Sequence, residues 1–441
     1  MSYCYTTNCD KMGMEEVIVE FHKLGMPEMR ERIFELPVNL NKAVTVTGLR
    51  RTGKTYLLYQ TVEKLLRNNV KLREVFYINF EDNRLEGITS KGLSEIIELY
   101  RKYNPESKTM YLFLDEVQNI NGWEKFIRRL LERGDVRIFI TGSSSKLLSR
   151  EIATTLRGRS LSFHLLPLSF QEFMSFKKVV FKQPLIEDER GLIKRHLEEY
   201  MEFGGFPEIV RYENILKIRT LQEYLDLIIY KDLVERYGIE KIDVMKSLIR
   251  IVVKNFATRA SIRRLHNILL SSGRQLSKNK VYEYFSYLED IGFVIPVRRF
   301  SYSETESMRS MAKLYLADNG FPTVYGVRDL GRRMENIVAV ELMRKKHYFK
   351  PTFEIRHYVG KNNREVDFVV SEGFKVKWLI QVCYDPEDAY TRKREEEAFI
   401  DASKELKCKD LKIITWDHEE EKTIDNKRIV YIPLWKWLLE K

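Results

Sequence analysis

The sequence predicts an α/β protein whose first domain is a parallel sheet with helices on both faces. Between residues 43 and 166, short apolar runs rich in β-branched and aromatic residues alternate with helical segments, and this alternation is typical of such a sheet. The first run leads through a glycine-bounded loop into a helix, and the later runs at 109–114 and 136–140 end in polar residues. Because ligands of parallel sheets bind at the carboxyl ends of the strands, we expect these polar residues to meet at one site.

The loop after the first strand has the spacing of a P-loop. The apolar run 43–47 is followed by GLRRTGKT at 48–55 and then by a helical segment. In this order, successive backbone N–H groups and a helix N-terminus converge where a polyphosphate can bind. We predict that Lys54 contacts the β- and γ-phosphates of ATP and that the Thr55 hydroxyl holds Mg²⁺. The residues predicted to bind the nucleotide are Gly48, Leu49, Arg50, Arg51, Thr52, Gly53, Lys54 and Thr55.

Acidic and hydroxyl side chains that follow two later strands complete the predicted site. Asp115 follows the run 109–114, where it is placed to hold Mg²⁺ through water. The adjacent Glu116 is predicted to be the general base that polarises the attacking water. Ser143 follows the run 136–140 and is predicted to contact the γ-phosphate, with a helix N-cap as its alternative role.

A basic segment before the last strand of this domain supplies candidates for an arginine finger. Residues 155–159 read TLRGR and lead into a strand-like run at 160–166. Either Arg157 or Arg159 is predicted to stabilise the charge on the transferred phosphoryl group, from the same chain or from a neighbouring subunit. An ordinary surface position is the alternative for each of them.

These motifs, in this order, resemble those of archaeal AAA+-type ATPases with a C-terminal nuclease-like domain. The runs that carry the resemblance are TGLRRTGKT, FYINFEDNRL, YLFLDEVQNINGWEKFIRRL, FITGSSSKLLSREIATTLRGRS, LLPLSFQEF and FGGFPE. The resemblance implies Walker A at Gly53, Lys54 and Thr55, Walker B at Asp115 and Glu116, sensor 1 at Ser143 and a finger within LRGR. It also implies that GGFPE at 204–208, which contains no arginine, lies in a small helical subdomain after the core.

The middle of the chain has the pattern of a winged helix. Helical segments at 244–256, 261–270 and 277–288 precede two strand-like runs at 294–300 and 312–316 that can pair as a hairpin. The residues predicted to contact duplex DNA lie at the start of the third helix and on the wing, and they are Lys278, Lys280, Arg298 and Arg299. A winged helix that only packs against protein is the alternative.

The last segment has a helix start at 335–342 followed by strand-like runs at 364–370 and 378–383. This order is similar to that of PD-(D/E)xK nucleases. Glu335, or less favourably Glu341, and Asp367 match the metal-binding carboxylates, whereas Gln381 and Cys383 stand where an acidic ligand and a lysine are expected. Loss of a carboxylate removes charge that Mg²⁺ needs, and loss of the lysine removes a cation beside the attacking water. We therefore predict a domain that keeps the fold with little or no cleavage.

Composition sets the number of domains and permits a nucleic-acid partner. The chain has 441 residues, 44% of them hydrophobic, and a net charge of +11, so several folded domains are expected and DNA is a suitable partner. No apolar run approaches the ~20 residues that span a bilayer, and we expect a cytosolic protein without a signal peptide. The predicted domains are an AAA+-type ATPase core (1–170), a helical lid (171–240), a winged helix (241–325) and the nuclease-like domain (326–441).

Three function classes follow in decreasing order of support. The first is an ATP-hydrolysing AAA+-type protein that acts on DNA or is gated by it. A finger from a neighbouring subunit would require this protein to form a homo-oligomer. The second is a nucleotide-switched module that binds DNA or protein and hydrolyses ATP slowly. The third is a metal-dependent nuclease.

Overall fold

The computed structural model describes residues 3–89, 92–142, 156, 158–181, 185–360, 364–385 and 389–440. Two of the predicted site residues, Ser143 and Arg157, lie outside these ranges. Contacts within the chain group it into two compact units, Met1–Leu165 and Leu166–Lys441. In the part of the chain that is described, no helix is both long enough and apolar enough to cross a bilayer.

The first unit contains a five-stranded sheet in which every strand pair is parallel, in the order β2-β3-β4-β1-β5. Its inner strands are buried along almost their whole length, as expected of a sheet covered on both faces. This confirms the predicted parallel α/β core. The strands are β1 (Ala43–Thr47), β2 (Val75–Asn79), β3 (Met110–Asp115), β4 (Val136–Gly142) and β5 (Ser160–His164).

Helices surround this sheet and pack their apolar faces on it. The first helix ends at Leu24, before Gly25, whose φ is 69°, and Pro27. Proline disfavours helix in the residue before it, which explains this end. The helices of this unit are α1 (Tyr3–Leu24), α2 (Lys54–Arg67), α3 (Glu95–Tyr103) and α4 (Trp123–Arg133).

The second unit begins with helices. The Ser169 hydroxyl caps the first of them by accepting the Glu172 N–H, and the Glu172 carboxylate accepts the Ser169 N–H. This reciprocal pair is a capping box. A π-helix, Ile228–Glu235, continues the third helix. The helices are α5 (Phe170–Phe176), α6 (Glu187–Phe203) and α7 (Asn214–Leu227).

Four further helices and a small sheet follow in the order helix, strand, two helices, strand, helix, strand. Ser277 accepts the Lys280 N–H and caps the third helix as predicted, and the predicted hairpin is present as the antiparallel pair β7 and β8. The third strand, β6, pairs with β8. These elements are α8 (Ile242–Lys254), β6 (Thr258–Ala260), α9 (Ile262–Ser271), α10 (Lys278–Asp290), β7 (Val294–Val297), α11 (Glu304–Arg309) and β8 (Ala312–Leu316).

The unit ends in a mixed six-stranded sheet of order β13-β14-β12-β11-β10-β9. Strands β9, β10 and β11 are antiparallel neighbours, and β11, β12 and β14 run parallel. The elements are α12 (Gly320–Val324), α13 (Leu330–Tyr348), β9 (Phe353–Val359), β10 (Glu365–Glu372), β11 (Lys375–Cys383), α14 (Ala389–Glu405), β12 (Leu411–Thr415), β13 (Glu420–Ile424), β14 (Lys427–Pro433) and α15 (Leu434–Leu439).

Candidate nucleotide-binding site

The P-loop joins β1 to α2 through backbone conformations that glycine favours. Gly48 has a φ of 147° and Gly53 a φ of 94°. A Cβ on Gly48 would lie 2.3 Å from the Leu165 carbonyl oxygen, so a larger residue cannot fit without displacing backbone. Gly53 is the N-cap of α2 and provides no side-chain cap. The N–H groups of the first turn therefore remain available to an anion.

The Lys54 side chain lies over the loop and is buried. Its Nζ donates to the carbonyl oxygens of Gly48 at 3.2 Å and Leu49 at 3.3 Å, and it lies 3.7 Å from Oε1 of Glu116. The Lys54 and Glu116 side chains are only 4% and 10% exposed, so little water screens their attraction. A phosphate at the loop would compete with Glu116 for this ammonium.

Asp115, at the end of β3, is fully buried and accepts hydrogen bonds from three hydroxyl groups. Thr55 and Tyr77 each donate to Oδ2 at 2.7 Å, and Thr141 donates to Oδ1. Burial raises the pKa of the Asp115 carboxyl, while the bonds from Thr141 and Thr55 lower it. Because Mg²⁺ takes oxygen ligands and the structure brings Thr55 and Asp115 into direct contact, the residues present fit this ion.

Thr141 connects the two acidic residues of the site. Besides donating to Asp115, its hydroxyl accepts the Glu116 N–H at 2.9 Å. Strand β4 lies between β1 and β3 in the sheet, so a residue near its carboxyl end faces both the P-loop and the acidic pair. Ser143, which we predicted to contact the γ-phosphate, lies outside the described residues, and that contact stays a prediction.

Glu116 is held in a fixed orientation. Its φ of 52° places the backbone in the left-handed region, which costs a residue with a side chain about 1 kcal/mol or more. The Gln118 amide donates to Glu116 Oε2 at 2.5 Å. The turn after β3, the Gln118 amide and the Lys54 ammonium together orient the carboxylate toward the P-loop.

Replacing Thr141 with valine, which has the same shape, is expected to lower the kcat of ATP hydrolysis about 10- to 100-fold because Asp115 and Glu116 lose a shared anchor. Nucleotide affinity should change little, since the hydrogen bonds of the Thr141 hydroxyl go to Asp115 and Glu116 and not to the P-loop. Phosphate release measured across ATP concentrations separates the two effects. The matched control is Thr45→Val on β1, whose hydroxyl donates to Ser162 instead. An unchanged kcat in Thr141→Val would contradict the role.

The segment before β1 braces the P-loop through an arginine that sequence reasoning missed. Arg32 Nη1 donates to the Thr52 carbonyl oxygen at 2.9 Å. Gln60 on α2 accepts the Arg32 N–H at 2.7 Å and donates to its carbonyl oxygen at 3.1 Å. No periodic pattern marks residues 25–42, so only the fold reveals the contact. Arg50, within the loop, forms an ion pair with Glu81 at 3.0 Å.

Arg159 lies far from the P-loop of its own chain. It precedes β5, and its carbonyl oxygen accepts the Ala43 N–H at 2.9 Å, at the amino end of β1, whereas the P-loop follows the carboxyl end, about 15 Å away. Its guanidinium pairs with Glu132 at 3.1 Å. This position favours a finger that acts on a neighbouring subunit, and the assignment of Arg159 as a finger stays a prediction.

The four basic residues predicted to contact DNA differ in their surroundings. Lys278 is exposed at the start of α10 and Arg298 is half-buried after β7. Lys280 pairs with Glu283 at 2.9 Å on the surface, a weak interaction that a phosphate can replace. The Arg299 guanidinium donates to the Val359 carbonyl oxygen at 2.6 Å. Arg299 therefore holds β9 and is the least suited of the four to DNA.

The structure brings two of the nuclease-like residues together around a lysine from another element. Glu335 on α13 and Asp367 on β10 lie on either side of Lys313 on β8. Gln381 Oε1 accepts the Asp367 N–H at 3.1 Å, and Cys383 ends β11. The alternative carboxylate, Glu341, pairs instead with Arg344. The cation beside these two carboxylates is the Lys313 ammonium.

Family models match three parts of the chain. Residues 40–174 match the family AAA_14, described as an AAA domain. Residues 194–325 and 330–437 match two domains of unknown function, DUF8612 and DUF4143.

Similar proteins span nearly the whole chain. The uncharacterized protein MJ1544 of Methanocaldococcus jannaschii is 39% identical over 97% of this chain and 96% of its own length. An uncharacterized protein of Haemophilus influenzae is 28% identical over 90% of this chain and 94% of its own. Among solved structures, the Walker-type ATPase paby2304 of Pyrococcus abyssi is 15% identical, with a TM-score of 0.44 over 72% of this chain and 94% of that chain.

Proposed function

Because this chain belongs to an AAA-type ATPase family together with MJ1544, we propose that it binds ATP with Mg²⁺, hydrolyses it, and couples hydrolysis to work on DNA. The proposed hydrolysis rests on one observation. The side chains of Lys54, Thr55, Asp115 and Glu116 converge at the carboxyl edge of one parallel sheet. These four side chains supply a phosphate clamp, two oxygen ligands and a base.

Each residue of the site has one task in the proposed reaction. Mg²⁺, when bound, neutralises phosphate charge, and Thr55 and Asp115 are the residues that would hold it. Lys54 exchanges its loop carbonyls and Glu116 for phosphate oxygens. Glu116, released from Lys54 but still bonded to Gln118, orients the attacking water and accepts its proton.

The Lys54–Glu116 ion pair also supports a second candidate function, a nucleotide switch with slow hydrolysis. A phosphate that takes the Lys54 ammonium removes the counter-charge of a buried carboxylate, so nucleotide binding and the position of Glu116 are linked. Phosphate release with and without duplex DNA distinguishes the two. DNA-stimulated release supports the ATPase, whereas nucleotide-dependent binding of DNA or protein with negligible release supports the switch.

The proposed DNA contact rests on the elements from α8 to β8. Their order, with the antiparallel strands β7 and β8 joined through α11, supports a winged helix. Its third helix, α10, begins with Lys278 and carries Lys280 two residues further on. N-terminal residues of such a helix reach base edges and phosphates in winged and related helix-turn-helix domains. The net charge of +11 favours the same partner.

Joint replacement of Lys278, Lys280 and Arg298 by alanine is expected to weaken duplex binding about 10- to 100-fold and to lower the salt slope by about 2 to 3, since each phosphate contact contributes roughly one. Fluorescence anisotropy across a salt series measures both quantities. Arg299 is left unchanged because its guanidinium holds Val359.

A matched control replaces three exposed lysines of the last domain, Lys350, Lys375 and Lys409, and is expected to keep the wild-type slope. Equal loss in both triple variants would mean that binding follows net charge alone. Undiminished duplex binding after joint replacement of Lys278, Lys280 and Arg298 would contradict their assignment as DNA contacts.

We also propose that the ATPase assembles with itself. Arg159 lies at the sheet edge opposite the P-loop and is about half exposed, a position that suits a finger only toward another subunit. Arg157 precedes it by two residues and remains the other candidate.

A further inference from the structure

A buried charge cluster in the second unit joins three elements that are distant in sequence. Lys313 on β8 extends its Nζ to 2.7 Å from Asp367 Oδ1 on β10 and 3.0 Å from Glu335 Oε1 on α13. The side chains of Lys313, Asp367 and Glu335 are 7%, 8% and 13% exposed. A third carboxylate, Glu365, lies 3.7 Å from the same Nζ but is already paired with Arg259 at 2.7 Å.

Glu335 and Asp367 each accept a further hydrogen bond. Tyr315 donates to Glu335 Oε1 at 2.5 Å, and the Val382 N–H donates to Asp367 Oδ2 at 2.9 Å. Asp367 lies within a register shift between β10 and β9, and such irregularities re-aim a side chain. The backbone is thus shaped to bring Asp367 toward Glu335, and the Lys313 ammonium occupies the point where both carboxylates converge.

Two buried carboxylates at one point need a cation, because their mutual repulsion and burial both oppose ionisation. Burial and the nearby Asp367 raise the pKa of Glu335 to about 7, and the Lys313 charge opposes that rise. The attraction of the two carboxylates keeps the pKa of Lys313 above its usual range despite burial. Lys313 therefore carries its charge at neutral pH.

We propose that Glu335 and Asp367 form a cation site whose resident cation is the Lys313 ammonium, and that a divalent metal binds there only when this ammonium is removed. The oxygen donors suit a hard ion such as Mn²⁺ or Mg²⁺. A metal and the ammonium cannot share the position, since Nζ is in hydrogen-bond contact with both carboxylates. The wild-type domain consequently lacks metal-dependent cleavage, and the cluster serves to tie β8 to α13 and β10.

The test compares Lys313→Met, which keeps most of the length of the side chain and loses its charge, with the wild type. Without Mn²⁺ the variant should melt roughly 6–20 °C lower, because a buried charge pair is broken. About a hundredfold excess of Mn²⁺ over its dissociation constant should restore roughly 5 °C, whereas the wild-type Tm should not respond. The titration is run without nucleotide.

The control variant Lys313→Met/Asp367→Asn keeps the P-loop and removes one carboxylate, so its Tm should not respond to Mn²⁺. If Lys313→Met shows no Mn²⁺ response beyond this control, the proposal is overturned. If Lys313→Met does not fold, the neutral variant Lys313→Met/Glu335→Gln/Asp367→Asn should regain a cooperative transition, because no uncompensated charge remains; a neutral variant that stays unfolded overturns the proposal as well.

Two measurements on the wild type need no variant of Lys313. Electron paramagnetic resonance should detect the same amount of bound Mn²⁺ in the wild type and in Asp367→Asn. The wild type should not nick plasmid DNA with Mg²⁺ or Mn²⁺. A stoichiometric ion lost in Asp367→Asn, or nicking lost in Asp367→Ala, would show that a metal coexists with Lys313.

Discussion

Replacing Glu116 with glutamine is expected to lower the kcat of ATP hydrolysis by about 100- to 10,000-fold, the usual contribution of a general base. The amide has nearly the shape of the carboxylate, but it cannot accept the proton of the attacking water. ATP affinity should hold or rise, because the variant no longer competes for the Lys54 ammonium, which lies 3.7 Å from the Glu116 carboxylate. Single-turnover phosphate release and equilibrium binding of ATP measure the two quantities separately.

The control for this variant is Glu106→Gln, which changes an exposed carboxylate in the loop after α3 and should leave both quantities unchanged. Full turnover in Glu116→Gln would exclude this residue as the base. Loss of ATP binding together with turnover would point to a structural role, since the general-base role predicts loss of turnover alone.

Replacing Gly204 with alanine is expected to destabilise the second unit by roughly 2–5 kcal/mol, as the sum of left-handed strain and overpacking. Gly204 has a φ of 79°, and a Cβ there would lie 1.7 Å from Oδ1 of Asp318. Asp318 cannot move freely, because its two carboxylate oxygens accept the N–H groups of Gly205 and Gly320, each at 2.7 Å. Thermal unfolding followed by circular dichroism should show a lower Tm.

A second glycine of the same region provides the comparison. Gly191 lies in helix α6, and a Cβ there would meet nothing within 4 Å. Gly191→Ala should therefore leave the Tm unchanged or raise it, since alanine is favoured over glycine in a helix by up to about 1 kcal/mol. Equal Tm values for the two variants would mean that the GGFPE motif is not held by Asp318.

The nucleotide site was predictable where its residues are close in sequence. The P-loop, Asp115 and Glu116 depend on local order, namely strand, loop and helix or strand and acidic pair, and the parallel sheet then brings the strand ends to one edge. Thr141, Tyr77 and Arg32 were missed for a physical reason. Their contacts depend on which strands are neighbours and on how a segment without periodicity crosses the loop, and neither is encoded in local pattern.

In the last domain, too, some features were predictable from sequence and others were not. The strand bearing Asp367 and the helix bearing Glu335 could be recognised from their apolar patterns, and their approach followed from the predicted order of elements. The lysine could not, because Lys313 belongs to a hairpin that is assigned to a different domain by sequence and lies 54 residues before Asp367.

By itself, the sequence determined the parallel α/β core, the phosphate-binding loop and the acidic pair, because each is a local pattern of hydrophobicity and glycine placement. Only the tertiary structure decided that Thr141 joins Asp115 to Glu116, that Arg159 lies at the far edge of its own sheet, and that an ammonium lies between Glu335 and Asp367. The reason is that charge compensation and hydrogen bonding act through space, so the partner of a buried polar group can come from any part of the chain that the fold brings within about 3 Å.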